Sequence, residues 1–226
     1  MTRDNLDLHT QEIKDELLIM GSLVESATQK AIVALRQRDR VAAREIYLAD
    51  RVINEKRYAV EKDVLVLIAT QQPLAHDLRL LAAMLEIASE LERMGDYAKG
   101  ICKVIFNLED TDIPIPIRQF EQMGEYTIDM LHQALTAFLS EDAEAARQIP
   151  KLDNRVDALF RDVEKFIIDL MVSQPQIIDH ANLLMWVAHN LERMADRVTN
   201  ICERTIFVAT GQLAELEEKP KDLVDN

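Results

Sequence analysis

A motif near the middle of the chain returns one hundred residues later. Leu91-Glu92-Arg93-Met94-Gly95-Asp96 recurs as Leu191-Glu192-Arg193-Met194-Ala195-Asp196, and Ile101-Cys102 recurs as Ile201-Cys202. Further upstream the spacing is 103: Met20-Gly21 matches Met123-Gly124, Ala42-Ala43-Arg44 matches Ala145-Ala146-Arg147, and Val60-Glu61-Lys62 matches Val163-Glu164-Lys165. Gln72-Pro73 matches Gln174-Pro175, so a short deletion in the second copy accounts for the drift. Ordered matches of this kind mean one unit written twice. A chain of 226 residues must then build its core from two similar halves.

Each half reads as helices. Ile13, Leu17, Met20, Leu23, Val24, Ala27, Ala31 and Leu35 step by threes and fours, as do Leu78, Leu81, Leu85, Ala88, Leu91, Gly95, Ala98, Cys102 and Ile105. Breaks fall near Arg38-Asp39 and Gln71-Gln72-Pro73 in the first half, and at Ser140-Glu141-Asp142 and Ser173-Gln174-Pro175 in the second. Ser140, standing before two acids, is the expected N-cap of the fifth helix. Pro150 lies inside that helix pattern and should kink it or mark its true start. The expected fold is all-α: two tandem three-helix bundles, six long helices in all, related by a pseudo-twofold. Helices of about 30 residues would each run about 45 Å. The expected boundaries are 1–110 for the first repeat, a proline-containing linker at 111–116, 117–211 for the second repeat, and a polar tail at 212–226.

Composition supports this and removes several function classes. Only 5 Gly and 6 Pro leave too few turn residues for an all-β fold, and no glycine-rich phosphate loop is present. With 26 basic against 40 acidic residues the net charge is −14, which argues against direct nucleic-acid binding. The longest unbroken apolar runs, Val64 to Ala69 and Leu80 to Leu85, are too short to span a bilayer, so direct membrane insertion is not expected. A polar N-terminus without a hydrophobic signal segment points to a cytoplasmic protein. Cys102 and Cys202 occupy equivalent apolar positions and read as small core residues, as do the methionines in the helical stripes. Trp186 is also expected to pack in the core.

The repeat carries carboxylates in pairs. Glu92 with Asp96, and Glu192 with Asp196, stand at i and i+4 on one helical face. The second helix of each half adds Asp50 with Asn54, and Asp153 with Asp157. Like charges at that spacing repel, and a cation between them turns the cost into a gain. Facing helices of a bundle can supply several oxygens to Mg²⁺, Mn²⁺ or Fe. The second half continues its face with Asn200 and Glu203, where the first has Gly100 and Lys103. A lysine ammonium there can take a metal's place, so the second cluster is the stronger candidate. Solvated surface acids paired with Arg93 and Arg193 are the competing reading. The Glu-x-x-His signature of di-iron bundles is absent, because Gly95 and Ala195 follow Glu92 and Glu192 at i+3. His189 reads as a bundle residue rather than a ligand, and no nucleophile–base constellation can be assembled.

Gln72-Pro73-Leu74-Ala75-His76-Asp77-Leu78-Arg79, followed by Ile87-Ala88-Ser89-Glu90-Leu91-Glu92-Arg93-Met94-Gly95-Asp96, resembles the PhoU family of phosphate-signalling regulators. The stretch from Asn190 through Leu191-Glu192-Arg193-Met194-Ala195-Asp196 to Asn200 and Glu203 is similar to that family's second signature. The resemblance covers about residues 7–211. It implies a pair of three-helix bundles and a cytoplasmic negative regulator of the phosphate-starvation response that is not an enzyme. The implied partners are the nucleotide-binding subunit of the high-affinity phosphate ABC transporter, whose uptake it would limit, and a sensor histidine kinase. Multinuclear iron, zinc or other divalent clusters are implied on the paired motifs. Carried over by position, the implied ligands are Asp153, Asp157, Glu192, Asp196, Asn200 and Glu203 in the second half, and Asp50, Asn54, Glu92 and Asp96 in the first. Apolar helix faces left exposed favour a homodimer. A metal-carboxylate bundle enzyme and a plain oligomerising helical protein remain the alternatives.

Overall fold

The computed structural model describes residues 3–108, 113–213 and 215–216. Thr111 and Asp112 of the expected linker, and most of the expected tail, lie outside the described residues. The first bundle is α1 (Arg3–Gln37), α2 (Arg40–Gln71) and α3 (His76–Asn107). The second is α4 (Ile117–Ser140), the short α5 (Ala143–Gln148), α6 (Asp153–Ser173) and α7 (Ile178–Thr210). No strand occurs among the described residues.

The repeat is visible in the helix starts. Asp39 accepts hydrogen bonds from the Val41 and Ala42 backbone N–H groups, and its counterpart Asp142 accepts from Glu144 and Ala145. Ser140 is therefore not the cap expected from the sequence. It sits in the last turn of α4, where its hydroxyl donates back to the Thr136 carbonyl, while Glu141 takes the left-handed conformation that ends the helix. Pro150 breaks the fifth helix outright. Residues Ile149–Leu152 tighten into a 3₁₀ turn between α5 and α6, whereas α2 runs unbroken over the equivalent stretch.

The bundles pack along two seams, α1 against α4 and α3 against α7. Each seam carries a pair of matched contacts. A Cβ at Gly21 would collide with Leu135 Cδ1, and one at Gly124 with Ile32 Cδ1. These are the same contact made twice, and glycine is what lets α1 and α4 approach. On the other seam Gly100 packs on the Asn190 amide, while Asn200 donates to Glu90 Oε2 at 3.1 Å. Arg197 and Arg204 add ion pairs to Glu90 and Glu86, at 3.4 and 2.8 Å.

The core is continuous across both bundles, with Leu81, Met84, Leu91 and Met94 of α3 buried beside Leu184, Leu191, Met194 and Val198 of α7. Met20, Met123, Cys102 and Cys202 are fully buried, and burial pushes both thiols up to about 12. Asn5–Gln37 is long and apolar enough to pass as a membrane span by length and composition. Its apolar face is spent on the bundle instead: Ile13, Leu17, Met20, Val24 and Leu35 are buried. Trp186 departs from expectation. It is 58% exposed on the outer face of α7, beside His189, which stacks on Phe160 with ring centroids 5.0 Å apart.

Candidate metal centre

In both halves the sequence-matched carboxylates meet between two helices, and the two meetings differ. In the second half α6 supplies Asp153 and Asp157 and α7 supplies Glu192 and Asp196. A cleft of about 340 Å³ opens there, lined by Asp153, Asp157, Asp196 and Thr199 and also by the cations Arg147 and Lys151. Burial, then the charges of Asp157, Asp196 and Glu192, push the Asp153 carboxyl up to about 7. Glu192 is also raised, first by burial and then by Asp196, with Arg193 pulling the other way. Asp153 Oδ1 and Glu192 Oε2 are buried without a hydrogen-bond partner. Such groups are costly unless something neutralises them.

The first half holds Asp50 and Asn54 on α2 against Glu92 and Asp96 on α3. Here a cation is already in place. Lys99 Nζ lies 2.6 Å from Asp50 Oδ2 and 3.4 Å from Asp96 Oδ1. Asp50 is only 4% exposed at its side chain, and Asn54 also donates to it at 3.1 Å. Glu92 is raised by burial and by Asp96, and Arg57 counters this. The Lys99 ammonium is itself held above the ordinary lysine value, chiefly by its hydrogen bond to Asp50. At the places of Lys99 and Arg57 the second half has Thr199 and Phe160. Lys99 had drawn no attention in the sequence, where Lys103 seemed the relevant departure. Lys103 instead lies over the Tyr47 ring at 6.0 Å.

Two expected ligands of the second half stand apart from the other four. Asn200 turns to the α3 seam and donates to Glu90. Glu203 accepts the Leu216 backbone N–H at 2.8 Å, which ties the segment after α7 to the edge of the cleft. Helical geometry explains the first: each i+4 step rotates the side chain by about 40°, so Asn200 is about 80° away from Glu192.

The second half fits a divalent cation by its donor chemistry: four carboxylates, a buried Asp153 Oδ1 without a hydrogen-bond partner, a buried Glu192 Oε2 with Arg193 Nε 3.7 Å away, and an Asp153 carboxyl pushed up by burial and then by its acidic neighbours. No group of three His, Cys, Asp or Glu side chains among the described residues converges closely enough to grip an ion. The first half does not fit, because an ammonium fills the place a metal would take. A groove of about 490 Å³ between α1 and α2 reaches Asp50 and Lys99 in this half. Ala27 and Ala49 line it, at the positions where the second bundle has the larger Met130 and Leu152.

The model of the PhoU domain matches the chain twice, over residues 17–105 and 120–205. The phosphate-specific transport system accessory protein PhoU homolog of Streptococcus pneumoniae serotype 4 is 35% identical over 214 residues, covering 95% of this chain and 99% of that one. The accessory protein PhoU of Escherichia coli K12 is 30% identical over 202 residues, covering 89% and 84%. The crystal structure of the phosphate transport system regulatory protein PhoU from Streptococcus pneumoniae superposes with a TM-score of 0.86 at 33% identity, over 92% of this chain and 99% of that one. That of PhoU from Pseudomonas aeruginosa gives 0.85 at 28% identity, over 91% and 99%.

Proposed function

The chain belongs to the PhoU family, and from that premise we propose that it is an accessory regulator of phosphate-specific transport. It acts on the cytoplasmic side, restrains the phosphate-starvation response when phosphate is plentiful, and couples the transporter's nucleotide-binding subunit to a sensor histidine kinase. The observation that carries the reading is the match of both halves to the family over nearly the whole chain, with relatives named as transport-system accessory or regulatory proteins. Those names also favour a regulator over an enzyme.

The chain's own residues give this a physical form. Asp153, Asp157, Glu192 and Asp196 would hold a divalent ion in the second half, with Glu203 close to the same cleft. The metal would bridge carboxylates of α6 and α7, which Arg147 and Lys151 at the cleft and Arg193 beside Glu192 do not do. Exposed Trp186 and His189 and half-buried Phe160 form an aromatic cluster on the same two helices. Aromatic residues of this kind are common anchors of protein interfaces. Regulation requires that docking differ in affinity between two states of the transporter.

The test is co-purification. Tagged protein from phosphate-replete cells should bring down the nucleotide-binding subunit and the kinase. Recovery of neither, with the tag accessible and the protein folded, would refute the adaptor role.

A further inference from the structure

We infer that Lys99 is a built-in cation that closes the carboxylate cluster of the first bundle to metal, so that metal loads only the second bundle. The inference rests on the metal reading of the second half and adds to it which half loads and why. The internal repeat provides the comparison, because the same helix pair is built twice in one chain. In the first half Lys99 bridges Asp50 and Asp96, and Arg57, ion-paired with Glu61 at 3.3 Å, also acts on Glu92 through its charge. In the second, four carboxylates face Thr199 and Phe160 at the matching positions. Arg193 has its match in Arg93, and Arg197, ion-paired with Glu90 across the seam, acts on Glu192 as Arg57 acts on Glu92, which leaves Lys99 as the difference between the halves.

The geometry is that of an occupied site. Lys99 reaches across from α3 to α2 and touches one acid from each helix, the bridging that a metal would otherwise perform. Its contact with Asp50 is a short charge-assisted hydrogen bond to a carboxylate almost removed from water. Its stem passes 5.3 Å from the Tyr47 ring at the ammonium, where the second half has Pro150. An ammonium on the same chain is present at every metal concentration. A metal entering the first cluster must leave that ammonium without its buried partner, whereas the cations at the second cleft, Arg147 and Lys151, do not bridge its carboxylates, Lys151 donating instead to Gln148 Oε1 at 2.6 Å. Asn54 in place of Asp157 removes a further negative oxygen from the first set.

The experiment uses the full chain, stripped with chelator, re-equilibrated with Mn²⁺ and read by elemental mass spectrometry after desalting. Asp96→Asn should bind as much Mn²⁺ as wild type, and Asp196→Asn should lose most of it. Lys99→Thr/Asn54→Asp, which writes the second half's residues into the first, should bind more than wild type, toward twice the ratio. Circular dichroism establishes that each variant is folded. Equal losses in Asp96→Asn and Asp196→Asn, or no gain in the folded double variant, would overturn the inference. If wild type takes up no Mn²⁺ the metal reading of the second half fails, and the resident-cation claim is then decided in chelator. Lys99→Met should lower the urea midpoint, and adding Asp50→Asn should restore it. An unchanged midpoint in Lys99→Met would overturn the claim.

Discussion

Replacing Asp153 by asparagine removes one of four carboxylates crowded between α6 and α7 and nearly preserves its shape. The Asp153 carboxyl is pushed up to about 7, mainly by burial and then by Asp157, Asp196 and Glu192. An unfolded aspartate titrates near ~3.9. The folded state therefore binds more protons than the unfolded state between those two values. Stability contributed by the protonated form is full below the unfolded value and is lost as pH rises toward about 7. A shift of about three units at ~1.4 kcal/mol each sets an upper limit of roughly 4 kcal/mol. Asp153 is only partly buried, and solvent screening reduces this to about 1–2 kcal/mol. In chelator, Asp153→Asn should match wild type below pH ~3.9, exceed its stability slightly at pH 5, and exceed it by about 1–2 kcal/mol at pH 8. Saturating Mn²⁺ should reverse the order by stabilising wild type alone. Urea unfolding followed by circular dichroism at both pH values is the assay. A variant destabilised equally at pH 5 and pH 8, or a wild type that gains stability over Asp153→Asn as pH rises, would refute the reasoning.

Three further outcomes follow from the fold. Gly124→Leu should destabilise by about 1–3 kcal/mol in urea, because the new side chain drives into Ile32 where α1 and α4 touch. Its repeat partner Gly21→Leu should do the same against Leu135. Asp39→Ala and Asp142→Ala should each cost about 1 kcal/mol through loss of two capping hydrogen bonds, and their effects should add because the caps share no partner.

The fold was largely legible in the sequence because a duplicated motif and threefold-fourfold apolar spacing constrain the same thing. Both point to helices whose buried faces repeat, and the six long helices and their breaks follow. What escaped has local causes. Ser140 looked like a cap, but the chain reverses one residue later at Glu141, and only Asp142 is free to cap α5. Trp186 looked like core from its size. The buried positions of α7 run through Leu184, Val187, Ala188 and Leu191, which leaves residue 186 on the opposite face. Asn200 seemed to extend the carboxylate face, but helical rotation carries it to the α3 seam. Lys99 was missed because a lysine three residues after an aspartate is ordinary on a helix surface. Aligning the repeats position by position, which pairs Lys99 with Thr199, is the signal that finds it. That pairing carries meaning only once Asp50 is known to be buried within reach, and burial is a property of the packed bundle.

A phosphate-starvation promoter reporter shows whether the protein regulates in response to phosphate through its second-half carboxylates. The reporter is read in high phosphate in the native host, deleted for this protein and complemented with wild type or with Glu192→Gln/Asp196→Asn. The account predicts repression by wild type and derepression by the double variant at equal abundance and with intact helicity. Full repression by that variant, or an unchanged reporter in the deletion strain, would contradict it.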